Sequence, residues 1–241
     1  MVFDFNIIFS VFPQLLQAAQ VTLSLSFWIL LVGLGLGLPI GLAHASSGPI
    51  GRLITASYML VFRGTPPLVQ LFIVYFGLAQ FEAVRASVFW PVLRDAYWCA
   101  VIALGLNSAA YVATMFSGAL RALPPGQSEA ARALGMSWFA TLVSVRAPQA
   151  FRIMLPSYGN EMVMTIKATA LASTITVQDL MGRARSAVND TYAPYEVLLS
   201  AAVIYIALTF TISRLVAWAE RRVDPARHAS THASQPSLAQ K

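Results

Sequence analysis

Residues 21–43 read VTLSLSFWILLVGLGLGLPIGLA, a run without a single charged side chain. A helix rises about 1.5 Å per residue, so a run of this length covers a hydrocarbon core of roughly 30 Å. The uncharged region is longer still, since no residue between Phe5 and Gly51 carries a formal charge. Inside it Gly33, Gly35, Gly37 and Gly41 omit side chains at close intervals, which lets a second helix approach. A transmembrane helix over about residues 15–43 is expected.

The rest of the chain follows the same pattern. Of 241 residues, 57% are apolar and 11% are charged, against roughly 25% charged in soluble domains. Ten acids and sixteen bases are too few to coat a soluble fold, and so apolar a chain does not stay disordered. Further spans are predicted over about 53–79, 96–120, 153–174 and 197–219, giving an all-α membrane protein of five transmembrane helices in one domain, residues 1–222. The third is free of charge throughout. The second is interrupted by Arg63-Gly64-Thr65-Pro66-Pro67, where two prolines remove N–H groups from the backbone ladder. The fourth carries Glu161 and Lys167. Beyond Arg222 the sequence VDPARHASTHASQPSLAQK loses its apolar residues, and 223–241 reads as a disordered tail.

The formal net charge is +6, but the bases stand singly, so a nucleic-acid partner is not indicated and membrane topology accounts for them better. Arg52, Arg121, Arg132, Arg146, Arg152, Arg221, Arg222, Arg227 and Lys241 fall on one set of loops; Arg85, Arg94, Arg183 and Arg185 fall on the other. The richer side is the cytoplasmic one, which places the C-terminus in the cytoplasm and the N-terminus outside. The first residues, MVFDFNIIFS, contain no base, unlike a cleaved signal, so the first apolar segment is expected to be retained. The lone Cys99 has no second cysteine for a disulfide and reads as packing.

That orientation makes the long loop 121–152 cytoplasmic. Its segment Leu123-Pro124-Pro125-Gly126-Gln127-Ser128-Glu129-Ala130-Ala131-Arg132-Ala133-Leu134-Gly135 predicts a turn and then a short helix. Ser128 is the expected N-cap, Glu129 suits the positive end of the dipole, and Gly135 stops the helix. Read alone, this is either a structured linker with a Glu129–Arg132 pair or an alanine-faced helix that inserts into another protein.

Glu129-Ala130-Ala131, Gly135 and the later Pro148 resemble the EAA motif of permease subunits of bacterial ABC importers. Val145 and Ala147 stand where that family commonly has Ile and Leu. The likeness extends over roughly Val21 to Arg222. Arg63-Gly64-Thr65-Pro66-Pro67-Leu68-Val69-Gln70-Leu71-Phe72 is similar to the second-span signature of polar amino-acid permeases. Pro148-Gln149-Ala150-Phe151-Arg152, Asn160-Glu161 and Lys167-Ala168-Thr169-Ala170 continue it. The stretch Phe81 to Tyr111 resembles M-type subunits of histidine, octopine and nopaline importers. Thr114, Ser117 and Ala168 depart from charges that many members carry there.

The resemblance implies a cytoplasmic coupling helix with Glu129, Ala130, Ala131 and Gly135 docking on an ATPase. It also implies two ATPase subunits that hold the ATP-Mg, a second permease of the related Q type, a periplasmic binding protein and a multi-pass place in the bacterial inner membrane. No cofactor is expected on this chain. A phosphate loop of the form GxxxxGK[ST] is missing, and His44, His228 and His232 lack metal spacing.

An acid near the middle of a span costs roughly 2.5–3.5 kcal/mol on insertion scales, so Glu161 is expected to face a partner or a cavity. Lys167 is the nearest base on the helix, but six residues turn it about 240° from Glu161. The functional reading is that Glu161, with Asn160, binds the cationic end of an amino acid. Members similar to glutamine importers tend to have Gln at that position, which favours a basic or guanidino-bearing ligand. Arg63 either holds a carboxylate in a bidentate pair, with Thr65 adding a donor, or snorkels or braces the loop; Gln70 and Lys167 are further candidates for ligand contact. Met162, Met164 and Met181 read as packing. The chain is therefore expected to be the membrane subunit of an ATP-driven importer of polar, cationic amino acids or opines. The rivals are an ion-gradient-driven transporter or channel subunit, which needs no alanine-faced helix, and a non-transporting scaffold.

Overall fold

A computed structural model describes residues 4–223, and every regular element among them is helical. The tail expected over 223–241 lies outside the described residues except for Val223, which ends the last helix.

Helix α1 (Phe5–Ser46) begins where Asp4 accepts from the Asn6 N–H at 2.8 Å and runs 42 residues, well past both ends of the predicted span. Helix α2 (Pro49–Gly64) follows, and after Thr65-Pro66 the chain resumes as α3 (Pro67–Phe72), extended to Gln80 by a wide turn and a 3-10 turn. The two pieces meet at 100°. The predicted second span is thus broken where the prolines stand, as their missing N–H groups require. Two short helices, α4 (Glu82–Arg85) and α5 (Trp90–Leu93), lead into α6 (Ala96–Ala122). Asp95 starts α6 by accepting from the N–H groups of Tyr97 (2.8 Å) and Trp98 (3.3 Å), the ordinary N-cap arrangement.

Helices α7 (Gly126–Ala133) and α8 (Trp138–Thr141) form the loop, and α9 (Ala147–Ala168) continues into a 3-10 segment, Thr169–Ile175. Helix α10 (Leu180–Thr191), absent from the sequence expectation, caps itself with buried Asp179; α11 (Pro194–Val223) is last. By length and composition α1, α6 and α11 qualify as membrane spans, and α2 with α3 makes a fourth if the bent pair is one crossing. The segment expected as span four falls on α9, whose Arg152, Glu161 and Lys167 make it too polar to qualify by composition.

Helix α6 is the centre. Its buried residues include a run of small ones, Ala100, Ala103, Gly105, Ala109, Ala110 and Ala113. Helix α1 lies against it through Gly33, Gly37 and Gly41, spaced four apart on one face. A methyl at Gly37 would sit 2.7 Å from the Ala109 carbonyl oxygen and one at Gly41 2.7 Å from that of Ala113. Gly35, on another face, meets nothing within 4 Å, so of the four glycines noted in the sequence it alone takes no part in this contact. Three apolar clusters surround α6 and α1: Leu25, Ile29 and Leu71 with Ile175; Leu15 with Leu180 and Val197; Phe116 and Leu120 with Leu142 and Met154.

Candidate functional site

Glu161 lies on the face of α9 turned to α6 and is 9% exposed. Ser108 of α6 donates its hydroxyl to Glu161 Oε1 at 2.7 Å. Space for that serine comes from α1, because a methyl at Gly33 would stand 2.7 Å from Ser108 Oγ. The glycine face that closes the α1–α6 contact therefore also positions the group that orients the acid.

Beside Glu161 is a cavity of about 330 Å³. Its wall joins Asn160, Glu161, Met164 and Thr165 of α9 to Asn107, Ser108, Tyr111 and Met115 of α6, with Pro67 at the start of α3 and Ile29 of α1. Among the described residues no Lys, Arg or His lines it. A carboxylate at the side of an apolar pocket, with hydroxyl and amide groups around it and no base, offers acceptors to a cationic group. Tyr111 adds a ring that can face a cation.

Of the six residues singled out for ligand binding, the cavity takes in Glu161 and Asn160. Lys167 is exposed and outside it, as its angular offset on the helix dictates. Arg63 lies beyond Tyr111, with its guanidinium 5.2 Å from that ring's centre and Nη1 donating to Thr114 Oγ1 at 3.1 Å. It lines a separate groove of about 600 Å³ with His44, Met59, Thr114 and Arg121. Thr65 donates to the Val61 carbonyl at 2.8 Å, and Gln70 Nε2 reaches the carbonyls of Phe62 (2.8 Å) and Thr65 (3.1 Å). These two side chains serve the helix break: Gln70 supplies the donor that the Phe62 carbonyl lost to Pro66, and the Thr65 hydroxyl joins its own N–H at the Val61 carbonyl. Arg63 makes the same point: Arg63→Lys, which retains charge but not the planar fork over Tyr111, should lower the thermal midpoint of the purified protein by a few degrees, consistent with about 0.5–1 kcal/mol for an exposed cation–ring contact.

Asn107, Ser108 and Tyr111 went unmarked in the sequence, as did the cavity position of Met164. The first two had a readable signal: they are adjacent polar residues in the middle of a span without charge.

The loop departs from expectation at its start and agrees at its end. Helix α7 begins at Gly126 with Pro125 before it and no side-chain cap, so Ser128 lies inside the first turn instead of capping it. The Pro125 ring presets the turn, and the helix starts three residues earlier than the serine suggested. Glu129 sits in the first turn as expected. Arg132 Nε donates to the Ser128 carbonyl at 3.3 Å, and no ion pair with Glu129 forms among the described residues. At the far end Gly135 has φ +75°, its N–H bonds the Arg132 carbonyl at 2.9 Å, and Met136 N–H bonds that of Ala131 at 3.0 Å. That is a Schellman stop, which glycine adopts without strain. Ala131 is buried, while Glu129, Ala130 and Gly135 are exposed next to Leu134, Trp138 and Phe139, which are 82%, 59% and 67% exposed. Gln127 bonds Gln149 at 2.8 Å and Arg146 bonds the Leu120 carbonyl at 3.1 Å, tying this apolar knob to α9 and α6.

Comparison with known proteins gives the frame for both features. Residues 33–225 match the family described as binding-protein-dependent transport system inner membrane component. The chain is 40% identical over 238 residues to the nopaline transport system permease protein NocM of Agrobacterium fabrum, covering 98% of this chain and 99% of that one. It is 42% identical over 228 residues to the octopine transport system permease protein OccM of Rhizobium meliloti, covering 92% and 93%. Among solved structures, an amino acid ABC transporter crystallised with histidines superposes with a TM-score of 0.80 at 37% identity, over 92% of this chain and all of that one. An ion-gradient-driven transporter finds no support in these matches. With its all-helical fold, its broken span and its exposed loop helix, the chain belongs to the binding-protein-dependent transport system inner membrane components, the permease subunits of ABC importers.

Proposed function

We propose that this permease passes cationic, guanidino- or amino-bearing amino acids or opines across the bacterial inner membrane, with Glu161 and Asn160 holding the cationic end. The observation that carries the reading is the Glu161 carboxylate, buried beside a cavity of about 330 Å³ whose wall contains no base. Nopaline and octopine, named in the relatives, are guanidino compounds of this kind. The chain is one membrane domain with five crossings, counting α2 with α3 as one and α9 as another, a periplasmic N-terminus and a cytoplasmic C-terminus. The excess of bases on one set of loops supports that orientation.

In this reading a periplasmic binding protein delivers the ligand, and a second, Q-type permease completes the pathway. The permease pair sits on two ATPase subunits, which hold the ATP-Mg, and one of them docks on α7. Exposed Glu129, Ala130, Leu134, Trp138 and Phe139 form the docking surface, and closure of the ATPase pair rocks the permeases between outward-open and inward-open states. This chain itself carries out no hydrolysis.

The test of the ligand class is reconstitution with the partner chains and measurement of ligand-dependent ATP hydrolysis. Arginine, lysine, octopine and nopaline should stimulate and glutamine should not; equal stimulation by glutamine refutes the assignment. The docking surface has its own test. Glu129→Lys should reach the membrane yet fail to retain the ATPase on purification. Gly135→Val should do likewise, because a β-branched residue at φ +75° cannot keep the Schellman stop. Normal co-purification with normal transport by both variants excludes α7 as the coupling helix.

A further inference from the structure

In a continuous helix the Phe62 carbonyl would accept from the N–H of residue 66, but that residue is proline and has none. Two side-chain amides replace it. Gln70 Nε2 reaches the Phe62 oxygen from α3 at 2.8 Å, and Asn107 Nδ2 reaches it from α6 at 2.6 Å. Asn107 Nδ2 also donates to Gln70 Oε1 at 3.2 Å, so the two amides are joined to each other as well as to the orphaned carbonyl. Gln70 is 8% exposed and its Nε2 further contacts Thr65 Oγ1 at 2.7 Å. The 100° bend between α2 and α3 is therefore held by a network with one member, Asn107, on the central helix.

Asn107 is also in the wall of the Glu161 cavity, next to Ser108, and Pro67, the first residue past the break, lines the same cavity. Both N–H groups of Asn107 are spent on the break, which leaves its Oδ1 as the amide's remaining acceptor. A guanidinium or ammonium in this cavity brings donors to that wall. Hydrogen bonds polarise one another through a shared amide, so a donor arriving at Oδ1 strengthens what Nδ2 gives to Phe62 and Gln70.

We infer that Asn107 is a positioning residue that transmits ligand occupancy of the Glu161 cavity to the α2–α3 bend. The inference rests on the reading of that cavity as the ligand site. It assigns Gln70 to the same device and leaves the charge contact that holds the ligand to Glu161, with Asn160 beside it and Asn107 Oδ1 accepting from the same cationic group.

The test uses the complete transporter in nanodiscs, with spin labels on Ile54 of α2 and Val69 of α3, which are 65% and 47% exposed, and L-arginine as the probe. Arginine should shift the distance between the labels in the otherwise unaltered protein. In Asn107→Asp, which keeps the shape and removes the donors, that shift should vanish. Arginine stimulation of ATP hydrolysis should fall at least fivefold at saturating arginine, although the added carboxylate in the cavity wall favours arginine binding. Gln70→Glu, which acts from the other side of the network, should do the same if Asn107→Asp assembles poorly. In a Pro66→Ala background, which returns an N–H to the Phe62 carbonyl, Asn107→Asp should have no further effect on distance or stimulation. A retained arginine-induced shift in Asn107→Asp and Gln70→Glu overturns the inference, as does a loss of equal size with and without Pro66→Ala. No shift in the unaltered protein overturns it too. Arginine affinity that is indifferent to Glu161→Gln refutes the cavity reading and this inference with it; a dependence on Glu161 with an unmoved bend refutes the inference alone.

Discussion

Glu161→Gln lowers arginine-dependent transport roughly 10- to 100-fold at subsaturating ligand, without loss of folded protein. Glutamine has the volume of glutamate and still accepts the Ser108 hydroxyl, whose oxygen lies 2.7 Å from Glu161 Oε1, so the α6–α9 contact survives. What disappears is the negative charge beside the cavity. A hydrogen bond to a charged group is worth about 1.5–3 kcal/mol, and each 1.4 kcal/mol is a factor of ten in affinity. Among the described residues no other acid or base lines the cavity to compensate. Uptake by the reconstituted complex over a range of arginine concentrations measures the effect, which falls on apparent affinity more than on maximal rate if the ligand is held there before translocation. Wild-type uptake at all concentrations excludes Glu161 from the ligand site. Lysine run in parallel should weaken with arginine, and an unchanged thermal midpoint of the purified variant separates loss of charge from general damage.

Gly37→Leu leaves little folded protein in the membrane. A first side-chain carbon at that position would be 2.6 Å from Val112 Cβ and 2.7 Å from the Ala109 carbonyl oxygen. The second contact is with backbone inside α6, which cannot turn aside as a side chain can. Insertion of carbon into a well-packed core costs typically about 1–3 kcal/mol and more where backbone must move. Leucine brings three further carbons, and its only relief is to separate α1 from α6, which also draws Gly33 off Ser108 and loosens the packing that holds the serine on Glu161. Gly35→Leu, one helical face away with nothing within 4 Å, is the control and should be close to neutral in the isolated chain. Thermal unfolding of the two purified variants compares them; equal midpoints mean that α1 and α6 are not held by this contact.

Much of the architecture is legible in one dimension because a bilayer imposes a simple rule, about 20 apolar residues per crossing. Residues 21–43 and 96–120 obey it and lie within α1 and α6. The prolines at 66 and 67 announce the break by chemistry that no tertiary contact can reverse, and Gly135 announces the end of α7 in the same way. Local reasoning failed where two local signals competed. Ser128 is a good cap residue, but Pro125 starts the helix first. The helix expected over 153–174 is present as α9 and its 3-10 extension, long enough to cross although too polar to qualify by hydropathy alone.

The candidate site divides on the same principle. That Glu161 needs a cavity or a partner followed from the cost of an acid in a span, and that Lys167 would not pair with it followed from the helical angle. Which residues meet that acid depends on how α6, α9 and α1 pack, and packing joins positions far apart in the chain: Ser108 with Glu161, Gly33 with Ser108, Asn107 with Phe62. Arg63, Thr65 and Gln70 carried the right chemistry for a carboxylate, and only the bend of 100° and the contacts around it turned Gln70 to the orphaned Phe62 carbonyl, Thr65 to the Val61 carbonyl and Arg63 to Thr114 and Tyr111. The sequence by itself determined the class of molecule, the break and the loop helix, because each depends on residues adjacent in the chain. The tertiary structure alone decided the composition of the cavity, because a side chain's neighbours across a helix interface are set by which faces come together.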